Sequence, residues 1–216
     1  MQLVLPTAYF PPVSWMALFL VSSAPLLEIH ETFPKQTIRN RCHILAANGK
    51  LRLTVPLKKP NGNKTKTSEV AVDNSQSWQE QHFRSVASAY RNAPYFMHYE
   101  EELHDFFEVR HLSLIALSSD SLELILKMLR TEKSWNYTVS FDKQIAGGAV
   151  MLDFQSEIDR LDADFPVYMQ TFSERHGFVP DLSVADLIFN CGPKDSLKYL
   201  EQVGRGLIKQ IMPYSG

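Results

Sequence analysis

Arg41-Cys42-His43-Ile44-Leu45-Ala46 and Leu51-Arg52-Leu53-Thr54-Val55 are two β-rich runs joined by Ala47-Asn48-Gly49-Lys50. An Asn-Gly pair between two such runs is the usual hairpin signal, so the stretch predicts a turn with positive φ at both Asn48 and Gly49. Working outward, Leu3-Val4-Leu5 is a short apolar run ended by Pro6, as in a buried strand, and Leu26-Leu27-Glu28-Ile29-His30 reads as a second strand. Between them Tyr9-Phe10-Pro11-Pro12 forms a rigid turn, and Ser14 is placed to cap a helix to about Val21. Lys58 to Ser68 is polar, with Pro60 and Gly62, and reads as an exposed loop.

From Ser77 the period becomes helical. Trp78, Phe83, Val86, Ala87 and Tyr90 share one helix face, and Pro94 is placed to open a second helix through Phe107. Leu112, Ile115, Leu122, Leu124, Ile125, Met128 and Leu129 mark a third helical region, with Ser119 or Asp120 able to cap its second half. Trp135 to Ala149 mixes β-prone Tyr137-Thr138-Val139 with Gly147-Gly148. In the tail Leu182 to Asn190 reads as a capped helix, broken by Cys191-Gly192-Pro193 before an amphipathic helix to about Gly204. The predicted class is mixed α/β. A small N-terminal sheet with a β-hairpin precedes a helical majority in the C-terminal two thirds, packed as one domain over residues 1–216.

A chain of 216 residues buries roughly 70% of its unfolded surface without disulfide or metal staples. Hydrophobic residues are 44% and charged residues 21%, and the formal charge is −2. That balance lacks the basic excess that phosphate neutralisation demands of nucleic-acid-binding proteins. The apolar segment Trp15 to Ala24 has no Lys or Arg before it, the first being Lys35, and it is too short to span a bilayer. Neither export nor membrane insertion is expected from it. Cys42 and Cys191 form no CxxC pair and suit a reducing, cytoplasmic setting, in which the glycosylation matches at Asn63 and Asn136 carry no meaning.

The candidate chemistry begins at Arg39-Asn40-Arg41. Guanidiniums match phosphate or carboxylate geometry bidentately, and on a strand Arg39, Arg41 and His43 would line one face with Asn40 on the other. The same pattern also describes a solvated strand face ion-paired to Glu28 or Glu31. Glu28 and His30 share a strand face, so a carboxylate can orient an imidazole as a general base, or both can be polar residues at a strand end. His82 lies among aromatics and reads as packed, and Tyr9 reads as a core anchor able to stack on a sugar or base. Cys42 and His43 are adjacent and face opposite ways, which rules out a dyad within the strand. Asp186 lies three residues after Ser183, close to a capping box, and can alternatively edge a pocket. No GxSxG, GxxxxGK[ST], GxGxxG or HExxH occurs, and no His/Cys/Asp spacing suits a metal.

Four stretches taken in order resemble the WbqC-like protein family. They are Leu5-Pro6-Thr7-Ala8-Tyr9-Phe10-Pro11-Pro12, Phe33-Pro34-Lys35-Gln36-Thr37-Ile38-Arg39-Asn40-Arg41, Leu53-Thr54-Val55-Pro56, and Asp181-Leu182-Ser183-Val184-Ala185-Asp186-Leu187-Ile188-Phe189-Asn190-Cys191-Gly192. The resemblance implies a bacterial protein, with some members in gene clusters for surface polysaccharide, and points to glycan or sugar-nucleotide modification such as acyl or aminoacyl transfer to an amino sugar. Many relatives carry His-Gln-Pro-Asn-Tyr and a Gly-Tyr pair in the opening strand, loop and helix. Here Leu5 stands where that His would be and Ser14-Trp15 where the Gly-Tyr would be, so a His-dependent nucleotidyl transfer loses its acid.

Residues and resemblance together lead to an enzyme or enzyme accessory, a transferase if it is catalytic, that handles an anionic small molecule such as an activated sugar. Arg39 and Arg41 would clamp the anion. His43 and Glu31 would supply proton transfer, and Asn40, Tyr9 and Asp186 would add ligand contacts. No cofactor and no oligomeric state are indicated. The alternative is a non-catalytic module binding a partner of an envelope pathway. An enzyme should gather Arg39, Arg41, His43 and tail residues into one concave site, whereas a binding module leaves them dispersed.

Overall fold

The structure, a computed structural model, describes residues 2–141, 150, 151 and 163–211. The first strand, β1 (Leu3–Pro6), is buried throughout. Such an unbroken apolar run marks a strand covered on both faces. It leads into α1 (Val13–Val21), whose residues 13 to 19 are all buried, and then into β2 (Leu26–Glu28), which pairs in parallel with β1 in the register Val4 to Leu26, Leu5 to Leu27 and Pro6 to Glu28. Ser14 does not cap α1. The helix starts at Val13, with Pro12 before it and the cap supplied from far along the chain, as described below.

The hairpin forms from β3 (Arg41–Ala46) and β4 (Gly49–Thr54). Ala46 pairs with Gly49, so the two-residue turn is Ala47–Asn48, one residue earlier than expected. Only Gly49 has positive φ, at 103°. The geometry matches a turn of ordinary hand followed by a left-handed glycine, which restores the strand twist that two positive-φ residues would otherwise supply. Strands β5 (Leu57–Lys58) and β6 (Ala71–Val72) form a second small antiparallel pair. The polar stretch between them is docked. Thr65 and Thr67 are fully buried, and backbone bonds run from Phe33 to Thr65, Thr67 to Glu31 and Ser68 to Ile29.

The helical part holds α2 (Trp78–Tyr90), α3 (Glu100–Glu108) and α4 (Leu114–Met128). Pro94 lies in the turn before α3. That helix opens instead on Glu100, Glu101 and Glu102, whose charge suits its N-terminal dipole. Ser113 caps α4, accepting the Ile115 N–H at 3.2 Å, and the helix runs unbroken through Ser119 and Asp120. Strands β7 (Asn136–Tyr137) and β8 (Val150–Met151) complete a four-stranded parallel sheet in the order β7-β2-β1-β8, while Gly147-Gly148 lies outside the described residues. The short α5 (Ser173–His176) precedes α6 (Val184–Ile211), which is kinked at Gly192 and Pro193 and continues past Gly204. Gly204 lets α6 approach α1 closely, since a Cβ there would stand 2.8 Å from the Ala17 carbonyl oxygen. Trp15, Tyr9, Tyr90, Phe19, Phe96 and Phe189 anchor the core. The protein is mixed α/β, and no helix among the described residues is long and apolar enough to cross a membrane.

Candidate functional site at the carboxyl edge of the sheet

From β1 the chain steps outward to β2 and then β7, while β8 lies on the other side of β1. In open α/β sheets such a reversal leaves a crevice beyond the carboxyl ends of the strands. Two buried polar residues of the strand ends, Thr7 and Glu28, lie there. Glu28 ends β2 opposite Pro6 and is 3% exposed. Its Oε1 accepts the backbone N–H groups of His30 at 2.5 Å and Glu31 at 3.0 Å, while Oε2 has no hydrogen-bond partner among the described residues. Thr7, just past β1, is fully buried, and its Oγ1 is likewise without a partner there. Glu28 therefore does not orient the His30 ring, whose Nε2 pairs instead with the Thr138 carbonyl at 2.8 Å beyond β7.

Arg39 belongs to the same edge. It forms an ion pair with Glu31 and donates from Nη1 to Thr37 Oγ1 at 2.6 Å. It sits in a turn before β3, so it shares no strand face with Arg41 and His43. The Tyr9 N–H to Ile38 carbonyl bond, 3.0 Å, fixes this turn against the end of β1. Asn40 ties the turn to β4 by exchanging bonds with Val55, its Nδ2 donating to the Val55 carbonyl and its own carbonyl accepting the Val55 N–H, both at 2.9 Å.

The N-terminus of α1 also opens toward this edge, where α/β folds commonly seat a phosphate. Here a carboxylate of the chain fills it. Asp181 Oδ1 accepts the Ser14 N–H and Oδ2 the Ser14 hydroxyl, both at 2.8 Å, and the Leu182 carbonyl takes the Val13 N–H at 3.0 Å. An anion bound elsewhere on the edge must draw on side chains.

Of the other predicted residues, Arg41 and His43 lie half-buried on the outward face of β3. Burial lowers the His43 pKa first, and the charges of Lys50, Arg52 and Arg41 lower it further. Tyr9 is fully buried and shares a 2.9 Å hydrogen bond with His82 Nδ1. Asp186 is not the second half of a capping box, because the Ser183 N–H donates to the His43 carbonyl. Its carboxylate is fully buried and accepts from Tyr90 Oη at 2.8 Å, Tyr168 Oη at 2.7 Å and Gln170 Nε2 at 3.0 Å. Burial pushes that carboxyl up, and the three donors pull it back. These bonds join α2, α6 and the strand-free segment before α5. Both cysteines are free thiols, and burial raises each, Cys191 to about 11, away from the thiolate a nucleophile needs. Among the described residues no cluster of three His, Cys, Asp or Glu groups is poised for a metal.

Thr7 escaped the sequence reading because nothing local distinguishes an unpartnered threonine. Glu28 was visible, but its role was tied to the wrong partner.

A protein of Mycobacterium tuberculosis described as uncharacterised, Rv1507c, is 25% identical over 198 aligned positions, covering 79% of this chain and 85% of that one. No solved structure matches. The sequence pattern of the WbqC-like protein family matches residues 7–161, which include Thr7, Glu28, Arg39 and the whole hairpin and stop short of Asp181; the chain belongs to that family.

Proposed function

We propose that the protein is an enzyme acting on an anionic small molecule such as an activated sugar, with its reaction centre at the carboxyl edge of the parallel sheet. The observation that carries this reading is Glu28. Its carboxylate is buried, one oxygen is held by two backbone amides, and the other has no partner among the described residues. A carboxylate so fixed is preorganised to take a proton from a substrate hydroxyl or amine as that group attacks an acyl carbon, and to return it to the leaving group. Thr7 Oγ1, just past the end of the adjoining strand, would orient the attacking group, and the Glu31–Arg39 pair would hold the Glu28 loop in place. Acyl or aminoacyl transfer to a sugar in surface-polysaccharide assembly fits such a centre.

The second reading, a binding module, draws on a different observation. Tyr9, Asn40 and Asp186 point into the interior and do not converge with Arg41 and His43. The test is a thermal-shift screen of nucleotide sugars and acyl donors, followed by mass spectrometry for products. A ligand at about 100 times its dissociation constant adds roughly 2.7 kcal/mol, a shift of several degrees at this size. Glu28→Gln should keep that shift and reduce turnover about 100-fold or more. Equal turnover in wild type and Glu28→Gln defeats the catalytic assignment, and a shift with no product supports the binding module.

A further inference from the structure

The outward face of the hairpin has a composition that folding does not explain. Arg41 stands opposite Thr54, His43 opposite Arg52, and Leu45, which is buried, opposite Lys50. Successive residues on one strand face lie about 6.8 Å apart and cross-strand partners about 5 Å apart. Arg41, His43, Arg52 and Lys50 therefore occupy one patch about 14 Å long. Arg52 and Lys50 are exposed, and Arg41 is half-buried with its Nε enclosed and without a hydrogen-bond partner among the described residues. No carboxylate among the described residues forms an ion pair with Arg41, Lys50 or Arg52, so nothing on this face offsets the repulsion between these neighbouring cations. Some other cations of the chain are paired, as in Lys58–Asp73, Arg91–Glu100 and Lys127–Glu102.

We propose that this face is an anion subsite for a ligand bearing two or more linked phosphate groups, with the Arg41 and Arg52 guanidiniums as the bidentate contacts, His43 between them and Lys50 at its margin. Two guanidiniums on diagonal positions of a ladder can grip neighbouring phosphates, whereas a single carboxylate would leave most of the patch unneutralised. The α1 N-terminus does not compete for the ligand, since Asp181 fills it. The inference rests on the proposed function only for where the reacting atoms lie, and it names the charged part of the substrate.

The probes are inorganic pyrophosphate and tripolyphosphate, titrated calorimetrically into the full chain at low salt. Wild type should bind both, tripolyphosphate more tightly, with affinity falling as salt rises. Lys50→Glu/Arg52→Glu should weaken binding at least tenfold, and Arg41→Ala should do so separately. Lys198→Glu/Arg205→Glu, an equal charge change on α6, should leave binding within twofold. Cosedimentation with vesicles of anionic phospholipid separates the phosphate sources, since capture lost with the hairpin variant marks a lipid headgroup and its absence marks a soluble phosphate ester. No binding by wild type, or an equal loss in the α6 control, overturns the proposal. Glu28→Gln should bind tripolyphosphate as wild type does, so failure of the reaction centre and failure of this subsite are read separately.

Discussion

Asp181 Oδ1 accepts the backbone N–H of Ser14 at 2.8 Å, across 167 residues of sequence. The tail thereby caps the helix that follows the first strand. Asp181 achieves this in a left-handed conformation, φ 52°, which aspartate tolerates better than most residues. The contact joins the two ends of the chain and neutralises the helix dipole where a ligand phosphate would otherwise sit.

Asp181→Ala should therefore destabilise the protein by about 2 kcal/mol, roughly half from the lost cap and half from alanine in a left-handed backbone. Asp181→Asn keeps an acceptor and the backbone tolerance, and should recover most of the loss. Urea midpoints of the two variants check this, and equal destabilisation would mean that the charge alone matters.

The Arg39-Asn40-Arg41 triplet should separate into two behaviours. Arg39→Ala removes the cation paired with Glu31, whose side chain is 21% exposed. The cost is then about 2–3 kcal/mol, somewhat below that of a fully buried pair. Arg41→Ala removes a cation from a repulsive face and should stay within about 1 kcal/mol of wild type. Denaturant unfolding of the single variants decides, and a destabilised Arg41→Ala would make that residue scaffold.

Two glycines are fixed by the backbone. Gly49→Val should cost about 1–3 kcal/mol, because valine at φ 103° is strained. Gly192→Ala should cost about 2–4 kcal/mol, since φ is 73° and ψ 173° and the added Cβ would meet the Tyr95 ring at 2.6 Å. Thermal unfolding measures both, and an unchanged midpoint for Gly192→Ala would mean that the kink relaxes at no cost.

The sequence was legible where structure is decided locally. The apolar run of β1, the period of α2 and the Gly192-Pro193 break each follow from a few neighbouring residues, and each is found. Errors arose where a distant partner overrides a local cue. Ser14 looks like a cap until Asp181 arrives, and Asp186 looks like half of a capping box until Tyr90, 96 residues earlier, donates to it. The site was less legible for the same reason. That Arg39 pairs with Glu31 rather than projecting with Arg41 depends on a turn whose position is set by Tyr9 and Val55. The parallel sheet itself needs β7 and β8, two-residue strands, of which only β7 had a local signal, in the β-prone Tyr137-Thr138-Val139.

His82 provides a pH-dependent test of the core. It is 5% exposed, packs edge-on against Trp78 at 5.2 Å and shares a hydrogen bond with the Tyr9 hydroxyl at Nδ1. Burial drives its pKa down to about 4, only partly opposed by a hydrogen bond with the Thr54 backbone, so the folded ring is neutral. An unfolded histidine titrates near 6.5, so on acidification the unfolded state takes up the proton first. The contribution is therefore complete above about pH 6.5, falls by about 1.4 kcal/mol per unit as pH drops toward 4, and is constant below. His82→Asn retains an acceptor for Tyr9 but cannot titrate. It should cost stability at pH 7, and its deficit relative to wild type should shrink by about 2–3 kcal/mol at pH 4.5. Other groups titrate in both proteins and cancel in the difference. A deficit that is the same at both pH values would mean that the folded ring takes up a proton as readily as the unfolded one, and the Tyr9–His82 bond would then have the opposite polarity.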